Sequence, residues 1–160
     1  MASRRRHRPE RAGESGPGRL RVPRIESFDF LYMPSTDVAR DLAFYRDVVG
    51  AEVVFAIEAF GTRVAQVRLS DGGPRLLLAG HLEGEAPVVL HRVDDLDAAI
   101  AVLRKRGAAI DARFEFPHGP AAELRTPGGQ RLAFYELVRP GADERLAGRM
   151  DFQPESGQPS

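Results

Sequence analysis

The residues of this chain that could carry out acid–base chemistry are few. Tyr32 and Tyr135 place phenolic hydroxyls on apolar stretches that are typical of strands. His118 lies in the loop Phe116-Pro117-His118-Gly119-Pro120, and Glu123 follows it closely. If both faced a cavity, the Glu123 and His118 side chains could exchange protons with a substrate. A solvent-exposed loop histidine is the more common case and the favoured interpretation, and nothing in the spacing shows that the two side chains face inward.

Several other kinds of catalytic centre are excluded by what the sequence lacks. The chain has no cysteine, so disulfides, thiolate nucleophiles and cysteine-ligated metals are ruled out. It contains no Gly-x-Ser-x-Gly nucleophile motif, no Walker phosphate-binding loop and no His-Glu-x-x-His zinc motif. His81 follows the fourth predicted strand, where we expect a surface turn.

The composition indicates one globular domain without a bias toward charged partners. The 160 residues are 42% hydrophobic and 29% charged, and the formal net charge is zero. A neutral molecule has no overall electrostatic attraction for nucleic acid or acidic membranes. No apolar run approaches the ~20 residues of a membrane span, and the apolar core of a signal peptide is missing. These features predict a cytoplasmic protein that does not bind membranes.

Both ends of the chain differ in composition from its centre. Residues 1–24 are rich in arginine and nearly free of bulky apolar residues, which predicts a disordered tail. Residues 139–160 are rich in polar residues, proline and glycine, and they predict a second, loose tail. The folded domain is therefore expected over residues 25–138. The basic tail could attract nucleic acid, but a solvated extension without a partner is the favoured interpretation.

Two tandem copies of one strand–helix–strand–strand–strand unit account for the folded region, over about residues 25–84 and 87–138. In each unit, apolar residues at helical spacing are followed by a glycine that ends the helix. These residues are Val38, Leu42, Tyr45 and Gly50 in the first unit, and Leu96, Ile100, Leu103 and Gly107 in the second. A Gly-Gly hairpin then precedes the last strand of each unit, which begins at Arg75 or Arg131.

Three stretches resemble the vicinal oxygen chelate superfamily, also called the glyoxalase, bleomycin-resistance and extradiol-dioxygenase family. They are residues 35–50 (STDVARDLAFYRDVVG), residues 93–99 (VDDLDAA) and the hairpin at residues 126–131 (TPGGQR). The resemblance covers about residues 25–138. It implies an α+β fold in which two tandem βαβββ units form curved mixed sheets around a cavity. It does not specify the activity, because this fold carries many functions.

The resemblance also implies where a metal would bind. Metal-dependent members place one ligand on the first and one on the last strand of each unit. Side-chain alternation assigns these positions to Phe30, Leu77, Val88 and Ala133. None of the four has an imidazole or carboxylate donor, and a shift of one residue would add only Asp29. We therefore predict no metal at the usual site and no cofactor.

The same alternation predicts an apolar, partly aromatic cavity lining. Arg92 could face an anionic group there, and the tyrosine hydroxyls could hydrogen-bond. The alternative is that these side chains simply fill the space. The candidate ligand-binding residues are Phe30, Tyr32, Leu77, Val88, Leu90, Arg92, Ala133 and Tyr135.

Two functions follow from this lining. The first is a metal-free protein that sequesters an apolar or aromatic metabolite or antibiotic, similar to the bleomycin-resistance branch of the family. The second is an enzyme of the lyase, isomerase or dioxygenase kind, with displaced metal ligands or with metal-free chemistry by Tyr32, His118, Glu123 or Tyr135. Because drug-sequestering relatives often dimerise, a homodimer is also possible. A nucleic-acid module acting through residues 1–24 is a third, weaker hypothesis.

Overall fold

A computed structural model describes residues 24–59 and 61–156. The predicted arginine-rich tail lies outside this part of the chain, apart from Arg24. The first unit contains β1 (Ile25–Pro34), α1 (Val38–Phe44), a π-helical turn (Tyr45–Val49), β2 (Glu52–Ala59), β3 (Thr62–Arg68) and β4 (Arg75–Ala79). The second contains β5 (Val88–Val93), α2 (Leu96–Lys105), β6 (Ala112–Phe116), β7 (Gly119–Arg125) and β8 (Arg131–Glu136), and a short helix α3 (Ala142–Leu146) follows.

The strands form one mixed eight-stranded sheet in the order β2-β3-β4-β1-β5-β8-β7-β6. Within each unit the first strand runs parallel to the last, and the remaining neighbours are antiparallel. The two units join through the antiparallel pair β1 and β5. The predicted α+β fold of two βαβββ units is therefore confirmed, with the two curved sheets joined edge to edge into one.

The helix ends use the residues that the sequence pattern indicated. The carboxylates of Asp37 and Asp95 accept hydrogen bonds from the backbone nitrogens of the first turns of α1 and α2. Gly50 and Gly107 follow the two helical segments with φ of 81° and 92°, a left-handed conformation that favours glycine. The repeat is thus a repeat of local structure as well as of sequence.

The sheet curls strongly, so that distant strands meet across its concave face. The rings of Phe30 on β1 and Phe116 on β6 have centroids 5.6 Å apart. Four strand spacings separate these strands in the sheet order, which would be about 19 Å in a flat sheet. The helices cover the opposite face, where α1 packs on residues such as Leu76 and α2 on residues such as Phe134.

The chain beyond residue 138 is a correction to the predicted loose tail over residues 139–160. After α3, it runs beside β2, which would otherwise be an open edge of the sheet. The Gly148 nitrogen donates to the Val54 carbonyl at 2.8 Å, and Ala56 exchanges backbone hydrogen bonds with Arg149 and Asp151. Phe152 is buried against the α1 side of the sheet. The polar composition of residues 139–160 did not indicate that Phe152 is buried. It also did not indicate that the edge of β2 needs backbone partners from this segment. Residues 157–160 lie outside the described part.

Replacing Phe152 tests whether this segment belongs to the folded domain. Phe152→Ala removes a ring that is 6% exposed and that lies 4.7 Å from the guanidinium carbon of Arg63. We expect the free energy of unfolding, measured by urea denaturation, to fall by about 3 kcal/mol. The matched change Gln153→Ala, at an exposed neighbour, should alter it by less than about 0.5 kcal/mol. Equal, negligible effects of both changes would show that the segment is loose.

Candidate functional site

A cleft of about 660 Å³ opens on the concave face of the sheet. Its walls come from β1, β2 and β3 of the first unit, from the end of β6 in the second, and from α3. The size is within the range of small-molecule sites in proteins. Its apolar lining residues are Ile57, Ala59, Val64, Phe116, Pro117, Ala142 and Leu146, and its polar ones are Tyr32, Thr62, His81, Glu115, Arg139 and Arg145.

A chain of hydrogen bonds crosses one wall of the cleft. The Tyr32 hydroxyl lies 2.8 Å from Nε2 of His81, and the Thr62 hydroxyl lies 3.3 Å from Nδ1 of the same ring. Tyr32 itself is held rigidly, because it is buried and its ring stacks on Phe114 at a centroid distance of 5.8 Å. The imidazole therefore has a fixed orientation at the cleft wall.

The protonation states of this wall follow from the burial of Tyr32 and the partial desolvation of His81. Desolvation lowers the pKa of His81 below its ordinary value of 6.5, so the ring is neutral at physiological pH. Burial raises the pKa of Tyr32 well above 10.0, so its hydroxyl stays protonated. The surface turn expected at His81 is present, yet its side chain reaches inward to Tyr32. The sequence carried no sign of this contact, because the two residues are 49 positions apart in the chain.

The four positions that the family resemblance assigns to metal ligands lie together in the buried core. Phe30, Leu77, Val88 and Ala133 are each at most 4% exposed and belong to one apolar cluster. Their side chains offer no oxygen or nitrogen donor, so the residues present do not fit a divalent metal there. Across residues 24–59 and 61–156, no three His, Cys, Asp or Glu side chains come together as a metal site.

Only one of the predicted ligand-binding residues borders the open cleft, namely Tyr32. Leu90 is fully buried and belongs to the apolar cluster beneath the cleft. Tyr135 packs edge-on against Phe30 and Phe116, at centroid distances of 5.8 and 5.0 Å. The structure thus brings the predicted lining together, but mostly as the packed floor beneath the cleft.

Tyr135 and Arg92 are engaged by carboxylates of the chain itself. The Tyr135 hydroxyl donates to Asp29, and burial followed by this bond raises the pKa of the phenol well above its ordinary value. Arg92 pairs with Glu26, its Nε lying 3.1 Å from a carboxylate oxygen. Asp29 reaches this position because the β1–β5 register shifts between Phe28 and Phe30. Strict alternation along β1 could not predict that shift.

His118 is buried, so the predicted solvent-exposed loop histidine is wrong. Its ring is 4% exposed and lies 4.5 Å, centroid to centroid, from that of Phe30. A Cβ at Gly119 would overlap the Glu136 carbonyl, so the adjacent glycine permits this tight turn. Nε2 of His118 lies 2.7 Å from Asp143 on α3, a residue that the sequence analysis placed in a loose tail.

The Asp143 carboxylate joins three parts of the molecule. Besides His118, it pairs with Arg75 at the start of β4 and accepts a hydrogen bond from the Gln66 amide at 3.2 Å. An ionised carboxylate only accepts, so Nε2 of His118 carries the hydrogen. Desolvation lowers the pKa of His118 to about 4, so the ring is neutral at physiological pH. Gln66 is fully buried and was missed by the sequence analysis. The sequence signal that could have indicated it is a polar residue on β3 two positions after Val64, and therefore on the same inward face.

Glu123 does not pair with His118, so the predicted acid–base couple is absent. Its carboxylate instead lies 2.6 Å from Nε of Arg131, and both side chains are buried. Nη1 of Arg131 donates to the carbonyls of Glu83 and Ala86, in the link between the two units. This ion pair is structural: it ties the last strand of the second unit to the connection that precedes β5.

Fold and cleft together define a class of protein, a small α+β domain of two βαβββ units curled around a binding-sized cleft. The model of the Glyoxalase/Bleomycin resistance protein/Dioxygenase superfamily matches residues 27–134, and the chain belongs to this family. The predicted resemblance is therefore confirmed. No curated protein matches the chain in sequence.

Solved structures of three enzymes, two epimerases and one dioxygenase, share the fold at low identity. Methylmalonyl-CoA epimerase from Mycobacterium tuberculosis is 18% identical, with a TM-score of 0.58 over 71% of this chain and 89% of that one. The Streptomyces coelicolor epimerase, in complex with 2-nitronate-propionyl-CoA, is 18% identical with a TM-score of 0.60 over 72% and 97%. Homoprotocatechuate 2,3-dioxygenase from Brevibacterium fuscum is 22% identical, with a TM-score of 0.55 over 74% of this chain and 34% of its own. These likenesses establish the fold alone.

No helix within the described residues is long and apolar enough to cross a membrane.

The burial of His118 predicts a pH dependence of stability. Desolvation, followed by the nearby charge of Arg75, lowers the pKa of His118 from 6.5 to about 4. Between these values the unfolded chain binds a proton that the folded chain does not. The free energy of unfolding should therefore fall by about 3 kcal/mol from this group as the pH drops from 6.5 to 4.

The matched variant for this prediction is His118→Gln, which keeps an N–H donor for Asp143 but does not titrate. Urea denaturation of both proteins between pH 7 and pH 4 should show a shallower loss of stability in the variant. Parallel curves for the two proteins would contradict the buried, neutral state of His118.

Proposed function

We propose that this protein binds an apolar or aromatic small molecule in the cleft, without a metal ion at the position that the family commonly uses. The observation that carries the proposal is the cleft itself, with about 660 Å³ of space and a lining in which a few oriented polar groups interrupt apolar side chains. Sites of this kind bind small organic ligands by excluding water from apolar surface and by fixing orientation with hydrogen bonds.

The floor of the cleft supports a planar or hydrophobic ligand. Phe116, Ile57 and Val64 are each at most 8% exposed, so they are held by packing and need no rearrangement to receive a ligand. A preformed apolar surface lowers the entropic cost of binding. The wall of Tyr32 and His81 then provides a fixed donor and acceptor pair on the first-unit side, which orients a hydroxyl or carbonyl group.

The side chains at the four positions that the family resemblance assigns to metal ligands support a role that does not use a metal there. A divalent ion needs several donors, and the four side chains at these positions are hydrocarbon. The cluster that contains them consists of aliphatic and aromatic residues. Sequestration of a ligand requires neither a metal nor a nucleophile, and the cleft supplies what it does require.

A second candidate function is favoured by the hydrogen-bonded wall. His81 is neutral, and its Nε2 lies 2.8 Å from the Tyr32 hydroxyl. The imidazole can therefore take a proton from a bound carbon acid, and the Tyr32 hydroxyl can then accept a hydrogen bond from the ring instead of donating one. This arrangement supports metal-free acid–base catalysis. It involves Tyr32, as the sequence analysis proposed, but replaces His118 and Glu123 with His81.

Filling the cleft tests the binding function. Apolar and aromatic compounds that raise the melting temperature of the wild-type protein, in a thermal-shift screen of a diverse natural-product library, should lose at least about tenfold in affinity in Ala59→Trp. The half-buried Ala59 lines the cleft, so an indole there occupies the space of the ligand.

Ala101→Trp is the matched control, because Ala101 is exposed on α2 and does not line the cleft. It should bind the same compounds as the wild type. Hits that bind Ala59→Trp unchanged would place the binding elsewhere, and a library without any hit would count against the binding function.

Deuterium exchange separates the two candidate functions. Carbonyl compounds that bind the cleft should be incubated with the protein in D₂O, and exchange at the α-carbon followed by NMR. If His81 is a base, exchange should occur with the wild type and fall by about 100-fold or more in His81→Gln. Exchange no faster than in buffer would leave binding without this catalysis, and equal exchange with the two proteins would exclude His81 as the base.

A further inference from the structure

The C-terminal segment supplies part of the cleft that lies outside the family match. The match ends at residue 134, whereas Arg139, Ala142, Arg145 and Leu146 all border the cleft. The rest of the lining comes from the two repeated units. The segment around α3 is therefore the part of this chain where specificity can differ from that of other proteins with the same fold.

The charges around the cleft do not balance. Arg139 and Glu115 neutralise each other, with Nη2 of the arginine 2.8 Å from a carboxylate oxygen. His81 is the remaining titratable imidazole of the lining, and it is uncharged at physiological pH. Arg145 is exposed on α3, and within the described residues no acidic side chain pairs with it. One positive charge at the cleft is thus left without a partner.

The positions of both arginines are set by well-anchored backbone. Asp143 holds α3 to Arg75 and His118, as described above. The guanidinium of Arg139 also donates to the carbonyls of Phe116 and Pro117, so its donors are largely used within the chain. Arg145 makes no such bonds within the part of the chain that the structure describes, so its guanidinium is available there to a group that enters the cleft.

We propose that α3 gives the cleft a cationic end, and that Arg145 selects ligands in which an apolar or aromatic body carries a single anionic group such as a carboxylate. The planar guanidinium binds carboxylates through two parallel hydrogen bonds, and the apolar floor receives the rest of the molecule. This inference rests on the proposed binding function and adds the chemical class of the ligand.

The test compares two probes of nearly the same shape, 2-naphthoate and 2-naphthamide, by isothermal titration calorimetry at low ionic strength. The wild type should bind the anion about fivefold more tightly than the amide, a ratio typical of one partly exposed ion pair. Arg145→Gln should bind the two probes equally. Arg104→Gln, which removes an exposed arginine of α2 far from the lining residues, should keep the wild-type preference.

Charge reversal provides a second variant, because a loss of structure would weaken the binding of both probes and would not invert the preference between them. Arg145→Glu should prefer the amide over the anion, while Ala59→Trp should lose both probes. Equal affinity of the wild type for the two probes, or a preference that persists in Arg145→Gln, would overturn this inference and leave the cleft as a binding site. Binding of neither probe by the wild type would instead count against the proposed function.

Discussion

A curled sheet has a concave face that must be filled by side chains or by a ligand, and the rest of this structure depends on how that is done here. The rings of Phe30, Phe116 and Tyr135 meet edge to face from three strands and fill this part of the concave face. Such pairs add about 0.5–1.5 kcal/mol each beyond the burial of their apolar area. Because the centre is packed, the open space is displaced toward β2, β3 and the C-terminal segment.

Because the open space lies on this side, the C-terminal segment forms one wall of the cleft. Asp143 reaches from α3 into the concave face and replaces solvent as the partner of Arg75, Gln66 and His118. This partly buried network is costly to break, since removal of Asp143 leaves the buried Gln66 and His118 without this partner. It fixes α3 as a wall of the cleft. The pairing of residues 148–151 with the edge of β2 holds the same segment from its other side.

Most of the fold could be predicted from the sequence, whereas little of the open site could. Helix caps, glycine stops and side-chain alternation act over a few residues, so Asp37, Gly50 and the inward direction of Phe30 and Leu77 were accessible to local patterns. The contacts that shape the cleft join residues far apart in the chain, such as Tyr32 with His81 and His118 with Asp143. Nothing in the local sequence of α3 distinguishes a docked helix from a polar tail.

Apolar side chains occupy the position where this family commonly holds a metal. Elemental mass spectrometry of the purified protein, before and after treatment with a chelator, is the most direct test. We expect divalent metal far below one ion per chain, together with an unchanged melting temperature after chelation. About one tightly held divalent ion per chain, whose removal lowers the melting temperature, would contradict it.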